Sequence, residues 1–328
     1  MRRRRILIGG AATVAVVGAA GAYFALTYEP GADNGYDTRV ATPRLVERRP
    51  AVLFDAGHRN VHSARGRYGP FVRLIESDGC RVSTISTAFS AESLRGADIL
   101  VVVNAKGPKS DQAAAAFAES ECDAVAEWVR GGGSLLLVAD HHPCGPAAAG
   151  LSRRFGVEMS GGWTDDEKHA REGAGDPGQI VFTRGGGRLG EHPIVSGGAG
   201  MEQVETVETF TGQSLKGPAS ATPLLLLAET AIDRVPVGSK REQRGSQTVT
   251  TFETKDSSAA GRCQGLAMSF GKGRVVVLGE AAMLTAQVDD KSGRKFGMNA
   301  AGNDNRAFAL NVVRWLAGEL APSPLAAQ

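Results

Sequence analysis

The chain predicts an α/β domain built on a doubly wound, mostly parallel sheet with a β-rich insertion. Three observations carry that prediction. Ala51-Val52-Leu53-Phe54, Ile99-Leu100-Val101-Val102-Val103-Asn104 and Ser134-Leu135-Leu136-Leu137-Val138-Ala139 are continuous apolar runs, the pattern of strands buried on both faces of a parallel sheet. Segments of helical spacing lie between them, which gives the βαβ rhythm. Over 157–265 the rhythm gives way to short strand-like runs separated by Gly173-Ala174-Gly175 and Gly185-Gly186-Gly187.

The chain opens differently. Arginines at 2–5 precede an uncharged stretch over 6–28, longer than the about 20 residues a spanning helix needs. Residues 1–28 therefore read as a signal-anchor, with the arginines in the cytoplasm, a single pass through the cell membrane and the domain outside. Ala20-Gly21-Ala22 offers a small-x-small cleavage site, so a secreted or periplasmic product is the alternative. Residues 29–49 carry turn formers and charge without apolar periodicity and read as a tether; 50–320 form the domain and 321–328 a tail.

Composition narrows the partners. The 37 Lys+Arg and 35 Asp+Glu nearly balance, and without the arginines at 2–5 the remainder is slightly acidic, which gives no nucleic-acid footprint. Lys240-Arg241-Glu242-Gln243-Arg244 reads as a solvated loop or hairpin tip. Cys80, Cys122, Cys144 and Cys263 show no C-x-x-C spacing, which argues against a zinc ribbon or a thioredoxin-like redox pair; buried thiols and bridges both fit.

Within the domain, strand 51–54 leads to a helix over 68–78 ended by Asp78-Gly79, then to a strand over 81–85. Strand 99–104 is followed by a helix over 111–130 with Ala115, Ala118, Cys122, Val125 and Val129 on one face. Gly131-Gly132-Gly133 turns into strand 134–139, and a short helix covers 145–156. The insertion holds strands at 179–183, 203–210, 223–229 and 247–253. Strand 265–270, a Gly271-Lys272-Gly273 turn, strand 274–279 and a helix over 304–320 complete the core.

The candidate site follows from topology. Ligands of open parallel sheets bind outside the carboxyl ends of the strands, and there this chain places Asp55, His58, Asn60 and His62, then Asp140, His141 and His142, then Glu280. Asn303 and Asp304, before the last helix, add polar groups at the same edge or simply cap the helix. Of the six histidines, all but His169 fall in or beside such turns; His192, held extended by Pro193, reads as a shaped turn. His58, His62, Asp140 and His141 are of the types that ligate a divalent metal, which would lower the pKa of a bound water. His58, Asp140, His141 and Glu280 also suit metal-free acid–base chemistry, and the same residues can serve purely as turn caps and hydrogen-bonding partners.

Ala97-Asp98-Ile99-Leu100-Val101-Val102, Trp128-Val129-Arg130-Gly131-Gly132-Gly133-Ser134-Leu135-Leu136-Leu137, His192-Pro193-Ile194, Gly271-Lys272-Gly273-Arg274-Val275-Val276 and Asn305-Arg306-Ala307-Phe308-Ala309-Leu310-Asn311-Val312-Val313-Arg314-Trp315-Leu316 resemble the class I glutamine amidotransferase-like superfamily. Within it, the chain is most similar to an uncharacterised membrane-linked branch related to accessory subunits of gliding-motility transporters. The resemblance spans 50–318 and implies a flavodoxin-like sheet. It does not imply glutaminase activity: the family's Gly-x-Cys-x-Gly elbow is replaced by Ala139-Asp140-His141-His142-Pro143-Cys144-Gly145, with the cysteine displaced. The expectation is an exported, membrane-anchored domain that binds a small polar or glycan-like ligand, as an accessory module of an envelope or transport complex. The alternative is a hydrolase using the His/Asp/Glu site.

Overall fold

The computed structural model describes residues 5–7, 12–18, 21–24, 30–108, 114–198, 202–244 and 247–319, without side chains at 5–24 and 244–249. In chain order the elements are β1 (Ala51–Asp55), α1 (Gly69–Ser77), β2 (Arg81–Ile85), β3 (Ile99–Val103), α2 (Glu119–Arg130), β4 (Ser134–Val138) and α3 (Cys144–Arg153). The insertion holds β5 (Glu158–Met159), β6 (Trp163–Asp165), β7 (Val181–Thr183), α4 (Pro193–Ser196), β8 (Thr206–Glu208), β9 (Leu215–Lys216), β10 (Thr222–Leu226), β11 (Ile232–Arg244) and β12 (Gln247–Ser258). The chain then returns through β13 (Cys263–Phe270), β14 (Gly273–Leu278), β15 (Ala286–Val288), β16 (Lys295–Gly297) and α5 (Asn305–Leu316).

The main sheet runs β2-β1-β3-β4-β14, all parallel, and continues through antiparallel β13, β9 and β5, with β10 also pairing β13. Chain order reverses between β1 and β3, so the crevice of an open α/β sheet falls at their carboxyl ends. Side-chain alternation divides the core. Val52, Phe54, Val101, Leu136 and Val276 face Phe71, Leu74, Phe308 and Val312 of α1 and α5. Leu100, Val102, Leu135, Leu137 and Val277 face Cys122, Val125 and Leu151 of α2 and α3. Gly133 is required where α2 turns into β4: a Cβ there would lie 2.2 Å from the Trp128 ring.

Several sequence expectations shift. Helix α2 begins at Glu119, not 111, because Glu121 reaches back to accept from Ala118 N at 2.9 Å and fixes the first turn. The basic cluster at 240–244 lies toward the tip of the β11/β12 hairpin, whose first strand the sequence reading omitted because its charged residues mask the period-2 pattern. From Gly31 onward the segment read as a tether is laid along the domain. Gly31–Ala32 pairs with β15, Leu45 is fully buried, and Asp78 accepts from Arg44 N at 2.9 Å. Of the signal-anchor expected over 1–28, residues 5–7, 12–18 and 21–24 are described, and their backbone is extended, not helical, with 12–18 paired parallel to β12. Among the described residues no helix is long and apolar enough to cross a membrane. The tail at 321–328 lies outside them.

One buried ion pair ties this frame together. Arg314 of α5 donates from Nε and Nη2 to Asp78, after α1, at 2.7 and 2.8 Å, with side chains 7% and 1% exposed. Removing one member leaves the other charge buried without its partner, a loss of about 3–5 kcal/mol. Arg314→Ala is therefore expected to lower the urea-unfolding free energy by about 3–5 kcal/mol, and a loss below about 1 kcal/mol, the value of a surface pair, would contradict the assignment.

Candidate functional site

Asp55 ends β1 fully buried, and the loop after it exists to satisfy that carboxylate. Gly57 N donates to Oδ1 at 3.0 Å, His58 Nδ1 lies 2.8 Å from the same oxygen, and Asn60 Nδ2 donates to Oδ2 at 3.0 Å. The Asn60 amide also reaches Val103 O at 3.0 Å, which stitches the loop to the end of β3. The second His58 nitrogen, Nε2, lies 2.9 Å from Oε1 of Glu121 on α2, and the ring sits between Phe89 and Phe117 at centroid distances of 4.6 Å. Burial alone would depress the His58 pKa. The hydrogen bonds and charges of Asp55 and Glu121 outweigh it and hold the imidazole above its ordinary value.

A second group forms where β4 and β14 end. Asn104, with φ of 46°, accepts from Asp140 N through Oδ1 at 2.8 Å, and Asp140 Oδ1 accepts from His141 N at 2.9 Å. Gln213, from the insertion, donates to the carbonyls of Ala139 and Asp140 at 2.7 and 3.0 Å. Glu280 is fully buried and accepts from Ala282 N and Met283 N at 2.6 and 2.8 Å. Burial raises the pKa of both Asp140 and Glu280, and the Asp140 charge raises Glu280 further. Burial disfavours both charges and the Asp140 charge disfavours that of Glu280, so the pair retains a proton above the usual carboxylate range. Buried Tyr68, which donates to Ala281 O at 2.8 Å, is raised by burial and by both acids.

Burial holds the His62 and His141 imidazoles below the ordinary histidine range. The His62 ring lies tilted against Tyr68 at 5.4 Å; burial and then the Arg67 charge push it down to about 3, and its Nδ1 has no partner among the described residues. His141 donates from Nδ1 to His142 O at 2.8 Å, lies over Trp163 at 5.4 Å, and is pushed down to about 4, chiefly by burial. Asp140 and His141 keep 16% and 20% of their side chains exposed, with His141 Nε2 4.0 Å from Asp140 Oδ1. His142 is buried against Trp163 and Phe252.

The structure thus gathers Asp55, His58 and Asn60 into one cluster, and Asp140, His141 and Glu280 into another. It does not bring Asn303 and Asp304 to either. Asn303 donates to Glu208 Oε2 at 3.2 Å and Asp304 accepts from Glu205 N and Thr206 N at 2.9 Å, so both fasten α5 to β8. Among the described residues no three His, Cys, Asp or Glu side chains converge as metal ligands. His58 has spent both nitrogens on carboxylates, and Glu280 both oxygens on amides. Cys144 is buried as the first residue of α3, and burial and then the Asp140 charge push its thiol far up, so it is not a ready nucleophile. All four cysteines are free and buried. Sequence reasoning missed Glu121, Asn104, Tyr68 and Gln213. Glu121, at the third helical position, and Asn104, at a strand end, carried a visible signal; Gln213 carried none.

Comparisons with known proteins place the fold. No family model matches the sequence, and no curated protein matches it. Among solved structures, the chain is similar to the N-terminal domain of mmIFT52, with TM-score 0.54 and 15% identity over 81% of this chain and 96% of that one. It also aligns with a ThuA-like protein from Bacteroides uniformis (TM-score 0.37, 11% identity, 84% of this chain and 93% of that). The cytoplasmic protein STM1381 from Salmonella typhimurium aligns as well (TM-score 0.40, 10% identity, 81% and 99%). At these identities the first shows a shared fold alone.

The raised His58 gives a pH signature. A histidine held above its unfolded value, near 6.5, stabilises fully below that value, and the contribution is lost as pH rises through the folded pKa. His58→Gln is expected to cost about 3 kcal/mol at pH 6, with the gap from wild type closing as pH rises. Urea titrations across pH check this, and a gap that widens with pH would contradict it.

Proposed function

We propose that the crevice at the carboxyl ends of β1, β3, β4 and β14 binds a small polar, glycan-like ligand without transforming it. The observation that supports this reading is the Asp140–His141–Trp163 grouping. Asp140 and His141 stay partly exposed within an otherwise buried cluster, and the imidazole lies over an indole whose Nε1 is buried without a partner among the described residues. A carboxyl pair that retains a proton both donates and accepts, and His141 Nε2 accepts. Flat ring surface with mixed donors and acceptors is the chemistry that recognises a hydroxylated ring. Catalysis finds less support, because His58, Glu280 and Cys144 are committed or protonated as described above.

In this reading the protein is an exported accessory module of an envelope or transport complex, with the apolar stretch at 6–28 as its membrane anchor. One observation favours a hydrolase instead: Asp140 is partly exposed 4.0 Å from His141 Nε2, and burial holds its carboxyl above its usual range, the equipment of a general acid. Ligand-observed NMR of the purified full chain with a panel of neutral mono- and oligosaccharides separates the two. Saccharide binding weakened at least about tenfold, about 1.4 kcal/mol, by His141→Ala and unchanged by Cys144→Ala is the expected outcome. Cleavage products that vanish in Asp140→Asn would favour the hydrolase, and binding by none of the panel would overturn the first reading.

A further inference from the structure

A separate cleft of about 670 Å³ opens in the insertion, between the Arg171–Ala174 loop and the β16–α5 connection, and neither Asp140 nor Glu280 lines it. Its floor is closed electrostatically. Glu208, 1% exposed, accepts from Arg171 Nε and Nη2 at 3.0 and 3.1 Å, from Gln179 Nε2 at 2.6 Å and from Asn303 at 3.2 Å. That carboxylate and the Arg171 guanidinium therefore neutralise each other. Arg294 is placed differently. It donates from Nη2 to the neutral Gln179 Oε1 at 2.6 Å, and its guanidinium lies 4.8 Å from the Phe296 ring centroid, so its charge is oriented without an acid paired to it among the described residues. Gln179 cannot rotate to release it, because its amide nitrogen is held by Glu208. Lys295 adds a second, weaker cation: it is 54% exposed and forms a long ion pair with Asp33 at 3.8 Å, which offsets part of its charge. Glu172, exposed at the mouth, is the one opposing charge left on the lining.

The wall carries a complementary need. Asn299 donates from Nδ2 to Asp33 Oδ2 at 2.9 Å and to Gln287 O at 3.1 Å, which fixes the amide orientation, since a flipped oxygen would face two acceptors. Its Oδ1 is buried and has no donor among the described residues. A buried acceptor left unmade is costly, and it asks for an O–H or N–H. An oriented guanidinium, a nearby ammonium and an acceptor lacking a donor together fit an oxyanion that carries hydroxyls.

We propose that this cleft is a second ligand site, specific for a small hydroxylated carboxylate such as a sugar acid, with the carboxylate at Arg294 and Lys295 and a hydroxyl donating to Asn299 Oδ1. A guanidinium supplies the planar, paired donors that a carboxylate accepts. Lys295 responds as a point charge, so binding weakens with salt.

Calorimetry on the full chain tests this with three probes: glucuronate, which has both features; glucose, which lacks the carboxylate; and acetate, which lacks the hydroxyls. Glucuronate is expected to bind at least about tenfold tighter than either. Arg294→Gln, at an exposed position where folding is retained, is expected to weaken glucuronate by at least about tenfold, and Asn299→Asp by a similar factor through repulsion. His141→Ala, in the crevice, is expected to leave glucuronate affinity unchanged, so failure of one site is distinguishable from failure of the other. Glucuronate binding no tighter than glucose, or an affinity unmoved by Arg294→Gln, would overturn the proposal.

Discussion

The constraint on which this molecule depends is the cost of burying acids at the carboxyl end of a parallel sheet. Asp55, Asp140 and Glu280 all end core strands there, and a charged carboxylate in such a place is tolerated only when its lone pairs are satisfied. Asp55 is met by His58, Asn60 and a backbone amide, and that need folds the loop after β1. Glu280 is met by the amides of the turn after β14. Asp140 is met by His141 N and by the Asn104 side chain, and stays partly open. Its charge and that of Glu280 are then resolved by keeping a proton. The crevice stays polar where Asp140 keeps part of its side chain open beside His141.

The insertion finishes this arrangement. Trp163 of β6 supplies the ring beside His141, and Gln213 holds the carbonyls on either side of the β4 turn. Glycine at 145 is required for that contact, since a Cβ would lie 2.3 Å from the Gln213 amide. The same insertion, through Glu208 and Gln179, builds the second cleft against the start of α5. The insertion thus completes a crevice that the core strands begin and supplies one wall of the second cleft.

Much of the frame was legible in the sequence for simple reasons. Runs such as Ile99 to Val103 and Leu135 to Val138 are apolar throughout because both faces are covered, and Gly131-Gly132-Gly133 marks the one turn where a side chain would strike Trp128. The placement of Asp55, Asp140 and Glu280 at strand ends followed from the same runs. What the sequence did not reveal were pairings across long separations. Glu121 meets His58 from a helix, and Gln213 comes from the insertion; neither has a local pattern that announces its partner. Asn303 and Asp304 were read toward the crevice, whereas the register of β8 against the start of α5 turns them to Glu208, Glu205 and Thr206. The segment before residue 50 looked like a tether because contacts such as Arg44 N to Asp78 leave no periodicity in the chain.

The central claim is that burial, with the Asp140 charge acting on Glu280, holds both carboxyls above the ordinary carboxylate range. Carbon-detected NMR titration of the side-chain carboxyls of the purified protein tests it most directly. A carboxyl signal that titrates near or above neutrality, and shifts to lower pH in its partner when Asp140→Asn removes the neighbouring charge, is the predicted result. If every aspartate and glutamate carboxyl titrates within the ordinary range near 4, the two acids are independently ionised and the account of the crevice is wrong.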